Sequence, residues 1–343
     1  MPPPTPTRDR NVYLVGAGVS CALGLPNTAE LLDGVLKLAE HDPRFGKAEN
    51  LSARLRRAFE YFYPDAVHEG YRPDVVDFFS ALRTYLDVGA GLPGGFADAP
   101  HLYRTLKHAI GRLLMIKTRD ANSRLRSGHP FLDEMVQPGN IIVTSNWDLL
   151  IERYAGIKNV PLRLTGLDDS EVVLLKLHGS SDWCLGQHLA PSRPTSDYAM
   201  LSERLNGPRP YRPSLPSPKQ RDDVPIRIRA LEDWNRAWAR IRSRSHELHM
   251  VTMARGKAGD LGPLRQVWRD AYGAVSRAKR LEIVGYSMPP DDIEIRTLLR
   301  AGVQRGADLQ KVVVNNPAPE VHERVRRYLD RGVRSNYRGV PND

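Results

Sequence analysis

The sequence is poor in cysteine. Two of its 343 residues, Cys21 and Cys184, leave no material for a disulfide framework or a four-cysteine zinc ribbon. Long apolar runs are missing as well: none approaches the ~20 residues that a membrane span needs, so no membrane partner is expected. The opening residues, Met1-Pro-Pro-Pro-Thr-Pro-Thr7, lack the apolar centre of a secretory signal and read as a flexible extension over residues 1–10. These absences together predict a cytoplasmic protein without a metal site. Negative charge is also in short supply, with 40 Asp and Glu against 50 Lys and Arg, a net +10 and a pI near 9.7. Such a surface favours acidic partners, nucleotides and nucleic acids among them, without selecting one. Arginine is dense at Arg227, Arg229, Arg236, Arg240, Arg242 and Arg244, and again at Arg324, Arg326 and Arg327. A solvated basic helix face explains these runs more simply than direct nucleic-acid binding does.

The rest of the composition is that of a globular chain: 41% hydrophobic, 26% charged, mean hydropathy −0.44. At this length it can bury a sizeable core, either as one large domain with insertions or as two. The first informative stretch is Asn11-Val-Tyr-Leu-Val-Gly-Ala-Gly-Val-Ser20, continuing to Gly24-Leu-Pro26. A short apolar run enters a glycine turn and leaves into a helical pattern, the context in which backbone amides cradle a pyrophosphate. The spacing departs from Gly-x-Gly-x-x-Gly, because Cys21 stands at the third glycine position. Taken alone, the loop is more readily a structural turn.

Asn27-Thr-Ala-Glu30 has the spacing of a capping box, and Leu31, Val35, Leu38 and Ala39 follow at helical spacing. Further helical stripes run through Val75, Phe79, Leu82 and Leu86, and through Leu102, Leu106, Ile110 and Leu113, with a turn-rich break at 89–100. Residues 31–135 therefore read as a helical insertion. A dinucleotide-binding dehydrogenase would place a second strand with a terminal acidic residue about 20 residues after the loop. Helix stands there instead, and that class is set aside.

Apolar strands resume over 140–148, 162–165 and 172–180. From 186 to about 225 the chain is proline-rich and aperiodic, an excursion suited to a lid or docking loop. A helix is expected over 231–242 and a strand over 247–253. Then come a helix with Leu264, Trp268, Ala271 and Val275, a strand over 281–289, a helix with Ile295, Leu298 and Leu299, a last strand over 311–316, and a helix with Val321, Val325 and Leu329. The alternation predicts an α/β fold, a Rossmann-like parallel sheet with helices on both faces, plus a helical insertion after the first strand. One domain is expected over 11–335. Its core comprises 11–30, 136–185 and 246–335, its helical insertion 31–135, and its proline-rich excursion with a helix 186–245; a flexible tail follows over 336–343.

Five strand ends carry polar residues: Gly16-Ala-Gly-Val-Ser20, Thr144-Ser-Asn-Trp-Asp148, Leu177-His-Gly-Ser180, Gly285-Tyr-Ser287 and Asn315. Each has a structural explanation alone, as a cap, a turn or a core histidine. In this order, on these strands, they mark where an open α/β sheet places its ligand. Trp147 points away from that row and is expected in the core.

The set resembles the sirtuin superfamily, in which a Gly-Ala-Gly-x-Ser loop, a Thr-x-Asn-x-Asp segment, a His-Gly-Ser segment and a Gly-x-Ser turn surround NAD. The resemblance runs from Asn11 to about Leu329. It is strongest to the bacterial sirtuin-like NADases of anti-phage defence, through Gly24-Leu-Pro26 and through Gly285-Tyr-Ser-Met-Pro289 followed by Asp292. Deacylases continue their glycine loop as Gly-Ile-Pro-Asp-Phe-Arg; here Pro26 is followed by Asn27-Thr-Ala, and the zinc-binding cysteines are absent.

The resemblance implies an NAD+ glycohydrolase that releases nicotinamide and ADP-ribose without a metal. It implies that Asn146 orients water and the nicotinamide ribose, that His178 is the general base, and that Asp148 binds the nicotinamide carboxamide. Gly16, Ala17, Gly18 and Ser20 would hold the pyrophosphate, Gly285, Ser287 and Asn315 the adenosine side, with Pro26 and Thr144 in the same pocket. It further implies an NAD-depleting defence effector under the control of a trigger, of homo-oligomerisation, or of a separate activating protein such as an ATPase, an Argonaute-type protein or a sensor. The alternatives are an NAD-dependent protein deacylase, a non-catalytic module for NAD or ADP-ribose, and a nucleic-acid-binding accessory protein.

Overall fold

Strand β1 (Asn11–Val15) is apolar at four consecutive positions, Val12 to Val15, and each is 1% exposed in the computed structural model. A strand with both faces buried belongs inside a parallel sheet covered by helices. The structure describes residues 11–47, 50–66, 73–89, 96, 98–167, 170–186, 226–227, 246–252, 254, 261, 264–330 and 334–336.

A six-residue helix, α1 (Ala17–Ala22), follows the glycine turn. The capping box then forms as its spacing predicts. Asn27 accepts from the Glu30 amide at 3.1 Å while the Glu30 carboxylate accepts from the Asn27 amide at 3.0 Å. It opens a 3-10 turn that runs into α2 (Leu31–His41). The insertion continues through α3 (Leu51–Phe62), α4 (Val75–Thr84), α5 (Ala99–Asp120), α6 (Asn122–Ser127) and α7 (Pro130–Met135). Its axis is α5, which packs against α2, α3 and α4 with Leu102, Leu106, Ile110 and Leu113 buried at helical spacing. The Tyr103 hydroxyl shares a 3.1 Å hydrogen bond with Thr252, which ties the insertion to the core.

The core resumes with β2 (Ile141–Thr144), α8 (Leu150–Ile157), β3 (Leu162–Arg163) and β4 (Val172–Lys176). Strands β5 (Gly179–Gly186), β6 (Ile226–Arg227) and β7 (His246–Met250) follow. The chain closes with α9 (Arg265–Ser276), β8 (Arg280–Val284), α10 (Ile293–Arg305), β9 (Lys311–Asn315), α11 (Pro319–Leu329) and β10 (Arg334–Asn336). Seven strands form one sheet in the order β10-β9-β8-β1-β2-β4-β3, and every pair is parallel. This is the α/β, Rossmann-like class that the alternating pattern predicts, with the helical insertion between β1 and β2. The chain leaves β1 toward β2 on one side and returns as β8 on the other, so the order reverses at β1. A reversal of this kind is where open α/β sheets open a crevice.

Two features differ from expectation. Strands β5 and β7, assigned to the parallel core, form a separate antiparallel sheet in the order β6-β5-β7. The cause is local: Gly179 turns the chain at φ +73° directly after His178, and a Cβ there would lie 2.2 Å from the His249 carbonyl. The last strand is β10, not β9. Its three residues, Arg334-Ser-Asn336, carry no apolar pattern, and its parallel pairing with β9 is a backbone matter. Asn336, assigned to the tail, is the end of that strand. The extension 1–10, the proline-rich stretch beyond Gly186 up to 225, the helix expected over 231–242 and the tail 337–343 lie outside the described residues. Among the described residues no helix is long and apolar enough to cross a membrane.

Candidate functional site

The register sets five strand ends level. Val15 of β1 lies opposite Thr144 of β2 and Val284 of β8; Thr144 lies opposite Lys176 of β4, and Val284 opposite Asn315 of β9. The segments singled out in the sequence therefore all leave the sheet along one edge.

The glycine loop is fixed by the loop after β8. Gly16 donates its amide to the Val284 carbonyl at 3.0 Å, and Gly18 donates to the Gly285 carbonyl at 2.9 Å. A Cβ on Gly16 would lie 2.5 Å from the Tyr286 Cα, and one on Gly18 2.8 Å from the Gly285 Cα. Gly285 itself has φ +60°, and its Cβ would sit 2.7 Å from the Val19 amide nitrogen. Three glycines thus serve a backbone-to-backbone contact between the β1 and β8 loops. The close approach expected for a pyrophosphate is already required by the protein itself. Ala17 and Gly18 are half-buried, as is Pro26, which follows Leu25, whose amide donates to the Ser20 carbonyl at 3.0 Å. Cys21 is half-buried too, and burial raises its thiol pKa, with Glu30 and Asp148 adding to the effect.

The end of β2 is tied to the same loop. Thr144 donates its hydroxyl to the Val15 carbonyl at 2.8 Å and accepts from the Asn146 amide at 3.0 Å. The Asn146 side-chain nitrogen donates to the Gly16 carbonyl at 3.0 Å and to the Ser20 hydroxyl at 3.1 Å. Ser20 in turn donates to Asp148 Oδ2 at 2.6 Å, and Asp148 Oδ1 accepts from the Leu150 amide at 3.0 Å at the start of α8. Ser20 and Asp148 are buried, while Asn146 is half-buried. Both N–H groups of the Asn146 amide are occupied, so its carbonyl oxygen is what it can offer a ligand. Trp147 is buried as expected and donates to the Val251 carbonyl at 3.2 Å. Beneath this segment the buried Lys176 donates to the Asp148 backbone carbonyl and pairs with the equally buried Glu152 at 3.0 Å. Removing one partner of such a pair leaves an uncompensated buried charge.

His178 stands two residues beyond β4 and is 1% exposed. Its backbone is held from both sides: Val251 donates its amide to the His178 carbonyl at 2.8 Å, and the Trp268 indole donates to the Leu177 carbonyl at 2.9 Å. The Trp268 and His178 rings have their centroids 6.4 Å apart. His178 Nε2 lies 3.8 Å from Asp292 Oδ1, and Asp292 Oδ2 accepts from the Tyr286 hydroxyl at 2.7 Å. Burial first, and the Asp292 charge second, hold the Tyr286 phenol well above its usual range, so it stays a donor. In the sequence Trp268 reads only as part of an apolar stripe, and Asp292 only as a marker of resemblance.

Two further expected ligand residues also make contacts within the protein. The Ser287 side is exposed, and its carbonyl accepts from Arg324 at 2.6 Å. Asn315 is buried and donates its amide to the Glu282 carboxylate, which also pairs with Arg280. Burial pushes the Glu282 carboxyl above its usual range, against the pull of Arg280. Among the described residues no three His, Cys, Asp or Glu side chains gather as metal ligands.

No family model and no curated protein matches the sequence. Solved structures that the chain is similar to include a mutant Sir2 homologue with ADP ribose, at 16% identity and a TM-score of 0.38, covering 95% of this chain and 86% of that one. A Sir2 mutant with a p53 peptide and NAD is similar at 15% identity and a TM-score of 0.34, covering 93% and 92%. At identities and TM-scores this low, what the site does has to be argued from its own residues.

Proposed function

We propose that this chain hydrolyses NAD+ at the nicotinamide–ribose bond, releasing nicotinamide and ADP-ribose. The observation that carries the reading is the hydrogen-bonded joining of Ser20 to Asn146 and Asp148, 126 and 128 residues away in sequence, at the sheet edge where His178 also emerges.

The chemistry suits those groups. Nicotinamide departs with the electron pair of the C–N bond, which neutralises its pyridinium charge, so no general acid is required. The ribose is left oxocarbenium-like and needs electron-rich atoms and a positioned water nearby. The Asn146 carbonyl oxygen supplies the first and orients the second. His178 takes the proton of the attacking water, a role for which imidazole has the right intrinsic basicity at neutral pH. Asp148 keeps Ser20 and Asn146 in place and has lone pairs left for the nicotinamide carboxamide. Ala17 and Gly18, on the less buried side of the loop, take the pyrophosphate; Pro26 and Thr144 border it, and Gly285, Ser287 and Asn315 belong to the adenosine side. A hydrolase of this kind unchecked would drain its own cell. It is held inactive until a trigger, self-association or a separate activating protein switches it on, as suits an NAD-depleting effector in bacterial anti-phage defence.

The test is an NAD+ time course with product identification, run across protein concentration. Nicotinamide and ADP-ribose are expected, and Asn146→Ala and His178→Ala each abolish their formation. Full turnover by either variant would reject the assignment. Turnover only on addition of an acylated peptide would establish a deacylase, and binding without consumption a sensing module.

A further inference from the structure

Asp292 occupies the N-cap of α10, where an aspartate normally turns back to accept from the first free helix amides. Here the side chain makes no capping hydrogen bond. It turns inward, 7% exposed, so that one oxygen accepts from the Tyr286 hydroxyl at 2.7 Å while the other faces His178 Nε2 at 3.8 Å. Tyr286 is itself held, because its neighbour Gly285 is locked against the glycine loop. The pair also crosses the site. His178 leaves β4, Asp292 follows β8, and the ends of β2 and β1 lie between those strands.

We propose that Asp292 is the positioning residue of His178: its carboxylate holds the proton of the neutral imidazole on Nε2 and leaves Nδ1 as the basic nitrogen for substrate. The inference rests on His178 being the base of the proposed hydrolysis. The 3.8 Å separation is longer than a hydrogen bond, and catalytic contacts of this kind often tighten in the substrate complex. Tyr286 makes the arrangement directional. Its hydroxyl donates, so it claims an oxygen of whatever group stands at position 292. In Asp292→Asn that oxygen is the amide's only one, and the amide NH2 is left facing His178. It donates to Nε2 and drives the imidazole proton to Nδ1, the wrong nitrogen for catalysis.

The experiment is NMR of the full chain carrying 15N-labelled histidine, with the His178 signals assigned by their loss in His178→Gln. Wild-type protein is expected to show the Nε2–H tautomer, and Asp292→Asn the Nδ1–H tautomer. In the NAD+ assay Asp292→Asn is expected to lower kcat by roughly a hundredfold, the order of a general base's contribution, with KM nearly unchanged. A merely structural aspartate would tolerate this isosteric change in both measurements. An Nδ1–H tautomer in the wild type, or the same tautomer in both proteins, overturns the proposal. The NMR comparison requires no turnover, so it stands even if NAD+ is not the substrate, and the failure of one reading is distinguishable from the failure of the other.

Discussion

Ser20 in α1 ties the segment after β1 to the segment after β2 through one hydroxyl, accepting from Asn146 and donating to Asp148. Ser20→Ala leaves a buried carboxylate oxygen and an amide hydrogen without that partner, which costs about 1–3 kcal/mol. Urea denaturation is expected to show that loss, and the NAD+ assay a raised KM because the Asn146 side chain then keeps only its bond to the Gly16 carbonyl. A variant equal to wild type in both would show that the cluster does not act as a unit. Residue types at strand ends were legible in the sequence, which is why Asn146, Asp148 and His178 could be named. What they point at was less so. Strand alternation turns Asn315 toward Glu282, a partner on the neighbouring strand that no local pattern announces. Asp292 was hidden for the opposite reason: an aspartate just before a helix reads as a cap, and only the three-dimensional partners reveal that it declines that role.

At the scale of elements, the β1 and β8 loops are held by contact between glycine backbones. Gly285→Ala forces an L residue into φ +60° and drives a methyl to 2.7 Å from the Val19 amide. Both effects destabilise, together by more than about 1 kcal/mol. Thermal unfolding is expected to show a lower midpoint, and an unchanged midpoint would mean that the loops separate freely. The helices of the insertion and the buried parallel strands were readable because burial imposes periodicity on their side chains. The antiparallel β5–β7 pair was not. Its direction depends on one left-handed glycine, Gly179, and nothing in an apolar run states which sheet it joins.

Over the whole molecule, β10 has no sequence signature because it is made by pairing rather than by packing. It covers the outer edge of β9, and an uncovered apolar edge invites pairing with another chain. Removing residues 334–343 is therefore expected to increase light scattering on warming before any loss of helix; equal scattering would show that β10 is dispensable. The central place of β1 has a kinetic consequence. Its neighbours are β2 and β8, and Asn11 pairs opposite Arg280, so 280 − 11 = 269 positions separate two adjacent strands. At ~5–20 residues per second, a ribosome takes on the order of tens of seconds to supply that second neighbour. Pairings so distant in sequence also form slowly. Of the parallel strands β1 is the first made and the one that waits longest for its second neighbour, so during synthesis Val12-Tyr-Leu-Val15 stays half-paired until β8 has emerged.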